Sequence, residues 1–284
     1  MNCDPDEIRE LEALALLLAQ GAGEVVRAGR EQAFAVDAKS TATDLVTEVD
    51  RASERWLVDQ LAERRPGDDV LGEEGAGHAA AKSGGVGARV RWVVDPIDGT
   101  VNFVLGLPDY AVSVAAEIDG VAVAGAVCAP ARGETFHARL GGGAVLLRDG
   151  RAPQRLTGPR EVPLERAVVG TGFSYDATIR VRQIAVIAEL LPRIADIRRL
   201  GAAALDICHV ATGRLDAYFE AGLHRWDYAA GALIAAEAGC VVTGLRGADP
   251  SGRLLATTGP QLVEDFVRVL TELQADEMRA DELR

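Results

Sequence analysis

The chain is nearly without lysine. Of its 30 basic residues only Lys39 and Lys82 are not arginine, and 43 acidic residues leave a formal charge of −13 over 284 positions. That balance lacks the basic surface that a phosphodiester backbone or an anionic bilayer requires, so neither nucleic acid nor membrane is expected as the main partner. Long apolar runs are also missing. Ala13 to Ala19 falls well short of the ~20 residues that span a bilayer. The opening Met-Asn-Cys-Asp-Pro-Asp-Glu is acidic where a secretion signal is basic. Cys3, Cys128, Cys208 and Cys240 are far apart with no CxxC spacing, which points to reduced thiols in a cytoplasmic protein and not to zinc or redox chemistry. Apolar residues make up 48 % of the chain, enough core for one large or two small domains without disulfides. One difficulty follows from the charge: an anionic substrate could be held only with the help of bound cations.

Asp4-Pro5 opens an amphipathic helix, with Ile8, Leu11, Ala15, Leu18, Ala22 and Val25 at helical spacing. A second helix is expected from Glu48 to Arg64, with Val49, Ala52, Trp56 and Leu57 inward, and residues 75 to 88 read as a small-residue loop. Short apolar runs at Val90–Val94, Val112–Glu117, Val121–Cys128 and Thr135–Ala138, with turns such as Asp119-Gly120, predict antiparallel strands. Gly141–Val145 and Ala152–Leu156 extend that series. The Pro/Gly/Arg-rich stretch from Leu156 to Arg166 is the expected boundary, dividing the chain into 1–156 and 157–284. Beyond it, strands at Val168–Thr171, Ile197–Leu200 and Ala217–Glu220 alternate with helices at Thr178–Leu191, Ala202–Ala211 and Asp227–Ala238, an α/β pattern.

The densest chemical signal is Trp92-Val93-Val94-Asp95-Pro96-Ile97-Asp98-Gly99-Thr100-Val101-Asn102-Phe103. An apolar strand runs into two carboxylates and then into Gly-Thr. Pro96 stiffens the strand end and Gly99 allows a sharp turn. A helix beginning at Thr100 would offer free amides to a phosphate. Acids beside such a seat call for hard cations, whose preferred ligands are carboxylate oxygens. Capping aspartates on a strand-turn would produce the same motif. Three further segments carry acids at element ends: Asp44-Leu45-Val46-Thr47-Glu48-Val49-Asp50, Val70-Leu71-Gly72-Glu73-Glu74-Gly75, and His224-Arg225-Trp226-Asp227. Taken singly, Asp50 reads equally as an exposed helical acid, Glu73 and Glu74 as a solvated loop, and Asp227 as an N-cap. Taken together they are a carboxylate set of the kind from which metal sites are built.

DPIDGTVNF, GEEG, DLVTEVD and WDYAAGALIAAEAG, in this order and from about Leu11 to Leu270, resemble the motifs of the inositol monophosphatase family of Mg²⁺-dependent, Li⁺-sensitive sugar and cyclitol phosphatases. The resemblance implies a two-lobed, layered αβαβα sandwich. An N-terminal α+β lobe would carry most metal ligands and the phosphate seat. A C-terminal α/β lobe would carry substrate recognition and the last ligand. It implies Glu73, Asp95 and the Ile97 carbonyl as ligands of a first Mg²⁺, and Asp95, Asp98 and Asp227 as ligands of a second. Asp50 and Thr100 would orient the attacking water, with Glu73 assisting through a third, weaker ion. Gly99 and Thr100 amides would hold phosphate oxygens, and Lys39 matches a loop lysine near the site.

The implied reaction is in-line attack of metal-activated water on a phosphate monoester, without a phosphoenzyme. His78, His137, His209 and His224 are scattered, with none where a phosphohistidine nucleophile would be expected. For the alcohol, the resemblance points to Asp98, Gly201, Ala203 and Glu220, with Ala202 standing where many relatives have Thr or Ser. Inositol 1-phosphate and related polyol phosphates are the expected substrates. Relatives acting on histidinol phosphate, fructose 1,6-bisphosphate or phosphoadenosine phosphate share the same metal motifs. A homodimer is also implied. The rival from another class is a regulatory member that acts through protein or RNA-polymerase contacts with little catalysis.

Overall fold

Asp4 accepts the Asp6 amide at 3.0 Å and Pro5 supplies the first helical residue, so helix α1 (Pro5–Arg30) begins where its backbone donors find a cap. The computed structural model describes residues 4–32, 34–39, 45–75 and 90–277. The buried stripe of α1 runs Ile8, Leu11, Ala15, Leu18, Ala22 and Val26. Val26 takes the place expected for Val25, because a step of four from Ala22 keeps the stripe on one face. A two-stranded ribbon, β1 (Val36–Ala38) with β2 (Leu45–Thr47), leads into α2 (Glu48–Arg64). The loop expected over 75 to 88 lies, after Gly75, outside the described residues, as do Asp44, His78 and Lys82.

Seven strands then form one sheet: β3 (Asp69–Gly72), β4 (Val90–Asp98), β5 (Ala111–Ile118), β6 (Val121–Ala129), β7 (Glu134–Arg139), β8 (Gly143–Arg148) and β9 (Gln154–Arg155). They lie in chain order. Only β3 and β4 run parallel; the rest are hairpins, as the turn signals predict. Helix α3 (Thr100–Leu105) follows β4. The second half contains β10 (Val168–Thr171), α4 (Ala177–Leu190), β11 (Asp196–Arg198), α5 (Ala203–Ala211), β12 (Ala217–Glu220), α6 (Arg225–Glu237), β13 (Val241–Thr243), β14 (Leu255–Thr258) and α7 (Val263–Glu272). Its five-stranded sheet has the order β11-β10-β12-β14-β13, parallel across the first three strands and antiparallel beyond. The sequence reading ends its alternation at Gly239, so β13, β14 and α7 are additions. Two are very short strands, and the buried Thr257 and Thr258 of β14 disguise it as a polar turn.

Strand alternation decides the layers. On β4, Trp92 and Val94 pack with Leu11, Leu18 and Leu57 of the outer helices. Val93 points the other way, with Ala115, Val127 and Phe136, toward α5, α6 and Tyr218 of the second sheet. The far face of that sheet, through Val169 and Phe219, meets Leu190 of α4 and Phe266 and Leu270 of α7. The result is a five-layer αβαβα stack in which α5 and α6 share one core with both sheets. The Leu156–Arg166 stretch links the two sheets.

The helices of the middle layer approach closely because their contact residues are small. A Cβ on Gly125 of β6 would stand 3.1 Å from both Cα and Cβ of Ala230 in α6. Gly125→Val is therefore expected to destabilise the protein by about 1–3 kcal/mol through overpacking, read as a lower urea midpoint with unchanged slope.

Candidate active site

Asp95 and Asp98 are three residues apart, an odd spacing that would send them to opposite faces of a regular strand. The pairing of β4 with β5 shows how this is avoided. Asp95 pairs with Ser113 and Asp98 with Ala111, so three steps on one strand oppose two on the other. This bulge at Pro96-Ile97 returns both carboxylates to one side, and a bulge is where a sheet tolerates proline. Asp95 Oδ1 accepts the Ile97 amide at 3.0 Å, which fixes its rotamer. Gly99 then takes φ +88, and a Cβ there would lie 2.9 Å from the Asp109 carbonyl oxygen. Only glycine turns the chain here into α3, whose first residue is Thr100. Asn102 on α3 donates to the carbonyls of Asp109 at 2.6 Å and Leu200 at 2.7 Å.

Helix α2 packs differently from the apolar face expected for it. Ala52 and Trp56 are only partly buried, and its buried residues are Val49, Asp50, Ser53, Glu54, Leu57 and Leu61. Three of these are polar because they back onto the acid-bearing turns. Asp50 forms a capping box with Thr47, accepting its amide at 2.8 Å and its hydroxyl. The other Asp50 oxygen lies 3.0 Å from Thr100 Oγ, which is also 3.0 Å from the Ile97 carbonyl oxygen. Asp50 is thus fully buried, not an exposed helical acid. Ser53 donates to the Pro96 carbonyl at 3.2 Å, and Glu54 accepts the Glu74 amide at 2.8 Å, pinning the Glu73-Glu74 turn from behind. Lys39 Nζ lies 2.8 Å from Glu73 and 2.5 Å from Glu74.

The second half closes the site. Asp98 accepts the Ala203 amide at 3.1 Å and the Ala204 amide at 2.7 Å, capping the start of α5 from a strand more than a hundred residues away. Asp227 sits in the first turn of α6 and accepts the His224 amide at 2.6 Å; the N-cap itself is His224. Glu220 ends β12 and accepts the Tyr218 hydroxyl. These elements enclose a cleft of about 600 Å³. Lys39, Glu73, Asp95, Ile97, Asp98, Gly99, Thr100, Gly201, Ala203, Glu220 and Asp227 all line it, with Asp50 just behind Thr100. His224 also lines it, stacked on Trp226 at 4.7 Å.

Burial, reinforced by mutual repulsion, pushes Asp95 and Asp227 well above the usual carboxylate range; Glu73 and Asp98 repel both. Burial raises Asp98 to about 7 despite its two amide bonds, with Glu220 adding to the rise. Glu73, Asp50 and Glu220 also move up, burial first in each case. Burial works against the Lys39 charge, yet Glu73 and Glu74 hold it more firmly protonated than usual. Glu73 and Asp95 share a hydrogen bond, which two carboxyls can make only with a proton between them. Among the described residues, no three His, Cys, Asp or Glu groups form a ready-made metal cage. Asp95, Asp98 and Asp227 are engaged by backbone amides, and Glu73 by Lys39. The chemistry of the donor set nevertheless fits hard divalent ions: every donor is oxygen, and burial with mutual repulsion makes these acids reluctant to ionise without a cation beside them.

Sequence reasoning passed over Glu54, the cleft wall Gly172–Asp176 and Arg199. The last two follow β10 and β11, and the carboxyl end of a parallel strand is the signal that could have found them. Burial pushes the Cys128 thiol up to about 11 and the Cys240 thiol to about 12, which keeps both protonated and weakly nucleophilic.

The sequence pattern of the inositol monophosphatase family matches residues 7–279. A Mycobacterium bovis protein named inositol-1-monophosphatase is 46 % identical over 282 residues, covering 95 % of this chain and 96 % of its own. A Pasteurella multocida protein named Nus factor SuhB is 36 % identical over 272 residues, covering 94 % and 97 %. Among solved structures, Mycobacterium tuberculosis SuhB aligns with a TM-score of 0.79 at 40 % identity, covering 95 % of this chain and 98 % of that one.

The raised carboxyls bind protons more tightly in the folded than in the unfolded chain. Without cations their stabilisation is complete below the ordinary carboxylate range and is lost as pH rises, for Asp98 between about pH 4 and about 7. In chelator, thermal midpoints should therefore fall across that window. Asp95→Asn should raise the midpoint at pH 8, by about 1–2 kcal/mol of stability, and the gain should shrink below pH 5.

Proposed function

Because the chain belongs to the inositol monophosphatase family, we propose that it is a Mg²⁺-dependent phosphomonoesterase. It cleaves inositol 1-phosphate and related polyol phosphates by in-line attack of water. One observation carries this reading: Asp95, Asp98, Asp227 and Glu73, an excess of negative charge, converge beside the Gly99 turn and Thr100 in a single cleft. Such a cluster is costly for an apoprotein and suited to an enzyme that binds cations and a phosphate together. Two Mg²⁺ ions, or three, held by Glu73, Asp95, the Ile97 carbonyl, Asp98 and Asp227, would neutralise these acids, polarise a phosphoryl oxygen and lower the pKa of water.

The protein's own groups do the remainder. The Thr100 hydroxyl, bonded to buried Asp50, is held in one rotamer and orients the attacking water. The Gly99 and Thr100 amides, at the start of α3, receive phosphate oxygens; the left-handed Gly99 makes that turn possible, since a Cβ there would press on the Asp109 carbonyl. Lys39 supplies a fixed positive charge at the Glu73 edge. Glu220 is acceptor-only when ionised and accepts hydrogen bonds from hydroxyls of the polyol, with the Gly201–Ala203 segment as the adjoining wall. The dimeric state expected from the family is part of this proposal, as is a division of labour at residue 156 between metal-holding and alcohol-reading halves. A second reading draws on the relative named Nus factor SuhB: a member that works through macromolecular contacts.

Phosphate release from inositol 1-phosphate, measured with Mg²⁺ and with chelator, separates the two. Mg²⁺-dependent turnover is expected, with kcat reduced by about 10³ or more in Asp95→Asn and by about 10²–10³ in Thr100→Val, and with inhibition by Li⁺. No Mg²⁺-dependent turnover across a panel of phosphate esters, alongside firm binding to a macromolecular partner, would sink the enzyme reading.

A further inference from the structure

Three parallel strands, in the spatial order β11-β10-β12, end at the cleft. At such carboxyl ends an α/β sheet places its ligands. The central strand β10 delivers Gly172, flanked by Arg199 just past β11 and Glu220 at the end of β12. With neighbouring strands about 4.8 Å apart, the two flanking backbones stand roughly 10 Å from each other, the width of a polyol ring with its hydroxyls.

Both side chains are bedded on glycines. A Cβ on Gly172 would fall 2.0 Å from Glu220 Oε2, and one on Gly201 would fall 2.5 Å from Arg199 Nη1. Each charged group therefore lies flat across a residue with no side chain, and each faces the same cleft. Their chemistry is complementary: an ionised Glu220 only accepts hydrogen bonds, whereas a guanidinium only donates, through five N–H groups in a planar fork. Lys39, the other Lys or Arg lining the cleft among the described residues, is engaged by Glu73 and Glu74 at the opposite edge. Arg199 is exposed on the alcohol side.

We propose that Arg199 is a specificity-determining residue. It donates to an oxygen on the edge of the leaving alcohol remote from the scissile phosphate, while Glu220 accepts from a neighbouring hydroxyl. This rests on the phosphatase reading above. The ligand class is a phosphate monoester whose alcohol presents a hydroxyl or an anionic oxygen across the ring, and the anionic oxygen is bound more strongly because its hydrogen bond is charge-assisted on both sides.

The test is kcat/KM for wild type, Arg199→Gln and Arg199→Lys on phenyl phosphate, inositol 1-phosphate and inositol 1,4-bisphosphate, with Mg²⁺ present. In Arg199→Gln the preference for inositol 1-phosphate over phenyl phosphate should drop about tenfold, chiefly through KM, and the preference for the bisphosphate should drop further. Arg199→Lys should recover part of the bisphosphate preference, since it restores charge without the fork. Equal losses on all three esters would overturn the assignment, leaving Arg199 as a mere support for the Gly201 segment. Failure of wild type to turn over any of the three would overturn the phosphatase reading instead, and this one with it.

Discussion

The contact on which the site depends is the one between Asp98 and the first amides of α5. It ties the end of β4 to the middle helical layer through both carboxylate oxygens, across more than a hundred residues of chain. A carboxylate at a helix start receives two charge-assisted bonds and a favourable dipole, which should depress its pKa. Its pKa instead rises to about 7. Burial and the surrounding acids outweigh the cap, so the most firmly held carboxylate of the cleft is still an unwilling anion. Positioning and charge are set by different parts of the structure, and they oppose each other.

That opposition explains the packing of α2. A helix whose only task was to cover a sheet would turn an apolar stripe inward. Here Asp50, Ser53 and Glu54 occupy inward positions because each holds a backbone or hydroxyl group of the turns that carry the acids. Polar groups buried in this way give up transfer energy but fix geometry, provided that each finds its partner. The large apolar residues beneath, Trp92, Phe103 and Leu57 among them, supply the stability that lets the site be built against electrostatic preference.

How much of this could be read from the residues alone depends on where the information is local. The helix starts at Asp4-Pro5 and Glu48, the hairpin series from Val90 to Arg148 and the turn at Gly99 are written in caps, alternation and glycine. The acids that meet in the cleft were legible as motifs at element ends. What was not legible is relational. Pro96 marks a strand end at which Asp95 and Asp98 can converge, but only the β4–β5 pairing shows that the register slips by one to bring them to one side. The polar face of α2 reads as weak amphipathicity until its partners on β4 and the Glu73 turn are in place. Arg199 lies in an unremarkable Ile-Arg-Arg-Leu run, and only the parallel order of β11, β10 and β12 gives it a position opposite Glu220. The last two strands hide in segments of three and four residues that end in Thr.

Asn102 spends both hydrogens of one amide on two carbonyls, Asp109 just past α3 and Leu200 just before the Gly201 turn. One side chain thereby clasps two neighbourhoods that are remote in the chain, so its loss would release a hold on both ends of the cleft at once.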